Sequence, residues 1–101
     1  MTRLIVVDDD TRILESLPVY FSRSETVTVA ATFTRAHDAL DYITEHGCDV
    51  LLSDIHMPQM NGVELLHRLK ELDQPPIFVA MTAFDTDDTM VQILAHGGAL
   101  V

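Results

Sequence analysis

Three acids, Asp8, Asp9 and Asp10, follow the apolar run "RLIVV", and Asp54 follows "DVLLS" in the same manner. Thr82 stands in the equivalent place after "IFVAM". A carboxylate at the end of a buried run is costly to desolvate unless a cation or hydrogen-bond donors meet it, so its placement points to chemistry. Three carboxylates gathered at one rim repel each other, and a divalent cation relieves that repulsion. Hard oxygen ligands in this number suit Mg²⁺, which keeps several waters and takes one or two carboxylates plus a phosphate oxygen. An aspartate beside bound Mg²⁺ is a nucleophile for phosphoryl transfer, which assigns Asp54 an aspartyl phosphate. Thr82 and the backbone amide of Ala83 would then donate hydrogen bonds to the equatorial oxygens of the transferred group. Met57, Pro58 and Gly62 shape the loop behind Asp54 in this reading. The plainer alternatives are a turn acid at Asp54 and an ordinary strand-end threonine at Thr82.

Such chemistry needs elements that carry these residues to one edge. "RLIVV" at 3–7 has the pattern of a strand buried on both faces. From Thr11 a helical stripe of Ile13, Leu14, Leu17 and Phe21 follows, with Asp10 as N-cap and Pro18 expected to kink or loosen the middle. "TVTVAA" at 26–31 is a second β-branched run. The helix behind it carries Ala36, Leu40 and Ile43 at helical spacing, Thr34 as N-cap and Gly47 as the stop. "DVLLS" at 49–53 is the third strand, and Asn61 caps "GVELLHRLKEL", whose inner face is Leu65, Leu66 and Leu69. Pro75 and Pro76 precede the fourth strand, "IFVAM". Asp85 to Asp88 start a further helix, "DTMVQILAH", stopped by Gly97 and Gly98, and "ALV" begins a fifth strand. Strands alternating with helices predict a parallel α/β sheet covered on both faces, with ligands outside the carboxyl ends of its strands. Asp8 to Asp10, Asp54 and Thr82 all fall at that rim.

Composition narrows the partners. At 101 residues the chain makes one domain, and 48% hydrophobic with 22% charged residues is ordinary for a soluble globular protein. No apolar run approaches the ~20 residues of a membrane span and no signal peptide opens the chain, so a cytoplasmic location is expected. Sixteen acids against six bases give a net charge of −10, which argues against direct nucleic-acid contact by this segment. Cys48 is the single cysteine and reads as packing, and the five histidines show no metal-site spacing.

Through "VVDDD", "LLSDIHMPQMNG" and "AMTAF" the chain resembles the receiver domain of two-component response regulators over essentially its whole length. The resemblance implies a flavodoxin-like, doubly wound parallel sheet in the strand order 2-1-3-4-5. It also implies that Asp8 and Asp9 are the acidic metal pair and Asp54 the phosphoacceptor, with the backbone carbonyl of His56 a further Mg²⁺ ligand and Thr82 the switch hydroxyl. Phe84, two residues after Thr82, would shield the phosphoryl group from water. Family members carry a lysine shortly after the Gly-Ala of strand five, but the chain stops at Val101, and its one lysine, Lys70, lies on the third helix. The switch aromatic, most of strand five and the last helix are also missing. Residues 1–101 therefore read as a receiver domain truncated at its C-terminus, with an open strand edge that favours self-association.

On that resemblance the domain is not an enzyme beyond its own phosphorylation and dephosphorylation. It would take a phosphoryl group from a bacterial sensor histidine kinase and switch an output, with transcription regulation through a C-terminal DNA-binding domain of the LuxR type as the expected case. A homodimer is left open. Two rivals stand beside this reading. One is an aspartyl phosphatase of the haloacid dehalogenase type, which "DDDTR" nearly fits, although that family's threonine would fall at Arg12. The other is a receiver-like interaction module that is never phosphorylated.

Overall fold

The computed structural model describes residues 1–54, 60, 62–81, 95 and 97–100. Five parallel strands form one sheet: β1 (Thr2–Val7), β2 (Val27–Phe33), β3 (Val50–Asp54), β4 (Ile77–Met81) and β5 (Ala99–Leu100). Their order is β2-β1-β3-β4-β5, the flavodoxin-like order expected above. Among the described residues, three helices alternate with them: α1 (Thr11–Phe21), α2 (Ala36–His46) and α3 (Gly62–Leu69). The expected Asn61 cap falls outside the described residues, as does the helix at 88–96 apart from Ala95.

The core lies between the sheet and α2 and α3. Ile5 and Val7 of β1, Leu51 of β3, and Phe78 and Ala80 of β4 pack with Ala36, Ala39 and Ile43 of α2 and Leu65, Leu66 and Leu69 of α3. Met60 completes this cluster. Burying each large aliphatic or aromatic side chain there contributes about 1.5–3 kcal/mol. On the opposite face Leu4 and Val6 are buried while Leu52 and Val79 are only half-buried. The α1 stripe of Ile13, Leu14, Leu17 and Phe21 is likewise half-buried, and no residue of that helix is fully enclosed. The helix is continuous from Thr11 to Phe21 with Pro18 inside it.

Two further boundaries depart from expectation. The N-cap of α2 is Arg35, in an extended conformation and without a side-chain capping bond, and not Thr34. The Ala39 amide already donates to the Arg35 carbonyl at 3.3 Å, which fixes where the helical ladder starts and leaves Thr34 one residue too early to cap it. Helix α3 stops at Leu69 because the amides of Glu71 and Leu72 turn back to carbonyls only three residues earlier, a tightened last turn. Gly47 ends α2 as expected, at φ 70° and ψ 169°.

The amino ends of the strands are tied at Asp49. Its carboxylate accepts the Arg3 amide at 2.7 Å, its own amide donates to the Arg3 carbonyl, and its carbonyl accepts the Ile77 amide. The Arg3 guanidinium donates to the carbonyls of His46 and Gly47, satisfying acceptors at the end of α2. With that end pinned, the carboxyl ends of β1 and β3 are held in register, Val7 beside Ser53.

Candidate functional site

One step beyond the Val7 and Ser53 pair, the chain places Asp8 and Asp54 side by side at the carboxyl rim. Asp54 is the last residue of β3, half-buried and paired with Met81. Asp8 follows β1, and its amide donates to the Phe33 carbonyl at 3.1 Å, extending the β1 and β2 ladder by one residue. The Asp8 side chain is buried, with only 7% of the residue exposed, and its Oδ1 accepts the Asp10 amide at 2.8 Å. That bond closes a tight turn, which orients Asp8 and passes the chain into α1.

Ligand oxygens of Asp8, Asp9 and Asp54 all lie within 4.8 Å of one another. The sequence-derived set of three carboxylates is therefore brought together. Burial raises the pKa of Asp8, and the negative charges of Asp54 and Asp9 push the same way; the Asp10 amide opposes them. An all-oxygen set of this kind fits Mg²⁺, a hard cation that takes carboxylate oxygens at about 2.0–2.1 Å. Thr82, Ala83, Phe84 and the carbonyl of His56 fall outside the described residues.

Asp10 takes no part in that set. Its carboxylate accepts the Arg12 amide at 3.0 Å as the N-cap of α1, the role expected for it. The same carboxylate receives the Arg12 guanidinium through Nε at 3.0 Å and Nη2 at 2.9 Å. The guanidinium and the cap bond hold its carboxyl below the usual aspartate range. Sequence reasoning missed this pair, although an arginine two residues after an N-cap aspartate was a legible signal. It also missed Ser53, a fully buried hydroxyl whose Oγ donates to the Asp54 carbonyl at 2.9 Å.

Comparison with known proteins bears on this arrangement. The model of the response regulator receiver domain matches residues 4–100. The chain belongs to that family. Among curated relatives, the heme response regulator HssR of Staphylococcus saprophyticus is 36% identical over 85 residues, covering 84% of this chain and 37% of the relative. A protein-glutamate methylesterase/protein-glutamine glutaminase of Nitrosospira multiformis is 33% identical over 85 residues, 84% of this chain and 24% of that protein. This receiver domain thus spans 24% and 37% of the length of these two relatives. The signal receiver domain of a response regulator, NarL, from Mycobacterium tuberculosis superposes with a TM-score of 0.87 at 28% identity, over 98% of this chain and 80% of that one. A LuxR-family DNA-binding response regulator from Staphylococcus aureus superposes at 0.89 over the whole chain and 85% of its own; at 22% identity it attests the fold. Family membership sets aside the haloacid dehalogenase alternative. No helix among the described residues is long and apolar enough to cross a membrane.

Proposed function

We propose that this receiver domain accepts a phosphoryl group on Asp54 from the phosphohistidine of a sensor histidine kinase. The observation that carries the proposal is the convergence of Asp8, Asp9 and Asp54 within 4.8 Å at the carboxyl rim of a receiver fold. An Asp54 oxygen forms the new P–O bond as the P–N bond to the donor histidine breaks, and the imidazole leaves with its electron pair. Mg²⁺ held by Asp8, Asp9 and Asp54, with the His56 carbonyl as a further ligand, would neutralise the charge on the moving phosphoryl oxygens. The turn closed by the Asp10 amide fixes the direction of the Asp8 carboxylate, and the Ser53 hydroxyl holds the Asp54 carbonyl where β3 ends. The Thr82 hydroxyl and Ala83 amide donate to the phosphoryl oxygens once transfer is complete. Thr82 then couples the event to the surface formed by β4, the segment after it and β5.

The domain is a signalling module and turns over no substrate of its own. Its output is transcription regulation through a DNA-binding domain in the same polypeptide, and it works in the bacterial cytoplasm. The test is Mg²⁺-dependent phosphorylation by acetyl phosphate, read by intact mass. One phosphoryl group per chain, absent from Asp54→Asn and from protein in EDTA, is expected. Mg²⁺ binding with no mass increase would replace this reading with that of an unphosphorylated interaction module.

A further inference from the structure

The chain has six lysine and arginine residues in all, and the fold distributes them unevenly. Arg3 is used at the amino end of the sheet, Arg68 lies in the last turn of α3, and Arg23 and Lys70 follow the far ends of α1 and α3. Arg12 and Arg35 alone sit where helices begin, at the carboxyl rim with Asp8, Asp9 and Asp54. Arg12 is the one wired into the acidic turn. Its guanidinium grips Asp10, whose amide in turn donates to Asp8 Oδ1.

That grip is loose by construction. The Arg12 side chain is 86% exposed, and an ion pair in water holds weakly because both partners are well solvated apart. The helix cap does not depend on it, since the Arg12 backbone amide donates to Asp10 Oδ1 independently of the guanidinium. A planar guanidinium fork also matches phosphate oxygens as well as it matches a carboxylate. Charge supplies the reason to exchange. Three carboxylates with one divalent cation leave a net −1 at the mouth, and an incoming phosphoryl donor is itself an anion.

We propose that Arg12 releases Asp10 and binds the phosphoryl oxygens of the incoming donor, making it the recruiting cation for acyl phosphates and phosphohistidine. The inference rests on the reading of Asp54 as phosphoacceptor. Asp10 then acts as a competing anion that holds Arg12 ready and limits its availability.

The experiment measures the second-order rate constant for phosphorylation by acetyl phosphate at saturating Mg²⁺, from low to high NaCl. Arg12→Ala should lower it about two- to fivefold at low salt, the range an exposed charge pair commands. The deficit should vanish towards 1 M NaCl, where the Debye length falls to about 3 Å. Arg12→Lys should recover part of the loss. Asp10→Asn, which keeps a capping oxygen but frees the guanidinium, should raise the rate above wild type. Arg23→Ala, the same charge change at the far end of α1, should match wild type. An Arg12→Ala rate equal to wild type at low salt overturns the proposal, as does an equal loss in Arg23→Ala. Wild-type protein that takes no phosphoryl group would instead overturn the assignment of Asp54, and this inference with it.

Discussion

Replacing Asp8 by asparagine should stabilise the metal-free domain and at the same time abolish its response to Mg²⁺. Asp8 is nearly enclosed, and its oxygens lie within 4.8 Å of those of Asp9 and Asp54. Two unit charges at 4.8 Å repel by about 0.9 kcal/mol at a dielectric constant of 80 and about 3.5 kcal/mol at 20. Asp9 is exposed and Asp54 half-exposed, which places both repulsions towards the watery limit. Asparagine removes both yet keeps an Oδ1 to accept the Asp10 amide, so the turn survives. The expected gain is about 1–2 kcal/mol, and a domain of this size shifts by roughly 4–8 °C per kcal/mol. Mg²⁺ at a hundred times its dissociation constant should add ~2.7 kcal/mol to wild type and far less to the variant. Thermal unfolding in EDTA and in Mg²⁺ therefore reverses the order of the two proteins. A variant less stable than wild type in EDTA, with an unchanged Mg²⁺ increment, refutes the claim that these carboxylates form a metal site.

Other expectations follow from the same structure. The folded-state pKa of Asp8 lies above its unfolded value of 3.8, so its contribution to stability is full below that pH and is lost as pH rises through the folded-state pKa. Metal-free wild type should accordingly lose stability relative to Asp8→Asn as pH climbs above 3.8, and Mg²⁺ affinity should fall as pH drops back through that window; calorimetric titration at stepped pH checks both. Gly47→Ala should cost about 1–3 kcal/mol in chemical denaturation, because φ 70° with ψ 169° suits only glycine. An added Cβ would meet nothing within 4 Å, so the loss is torsional and no compensating change in packing should rescue it. Burial pushes the Cys48 thiol up to about 11, so alkylation at pH 8 should run on the order of a hundredfold slower than for a free thiol until the chain unfolds.

The parts of this site that were legible in the sequence are those set by short-range pattern. Short apolar runs gave β1, β3 and β4, and the acids ending the first and third gave, through the rule for parallel sheets, the meeting of Asp8, Asp9 and Asp54. Asp10 was readable as a cap because a side-chain acceptor just before a helical stripe has one obvious use. The cap of α2 was misread by the same logic: Thr34 has the better chemistry, but the chain leaving β2 at Phe33 enters the helix one residue later, at an arginine. Long-range ties left no local signal. Arg3 satisfies carbonyls more than forty residues away, and Asp49 joins three strands through bonds that only the assembled sheet creates. The Ser53 hydroxyl was passed over because its burial depends on Val7 and Ala80 flanking it in neighbouring strands. Pro18 illustrates the converse. Its local preference argues for a kink or a loosened middle, and the half-buried apolar stripe of α1 keeps the helix continuous across it.

The most direct test of the central claim locates the acyl phosphate itself. After incubation with Mg²⁺ and acetyl phosphate, borohydride reduction converts a phosphorylated aspartate to homoserine, which peptide mapping then assigns to a position. The account predicts homoserine at position 54 alone, and none when Mg²⁺ is removed. Homoserine at position 8 or 9, or at no aspartate in protein that binds Mg²⁺, would contradict it.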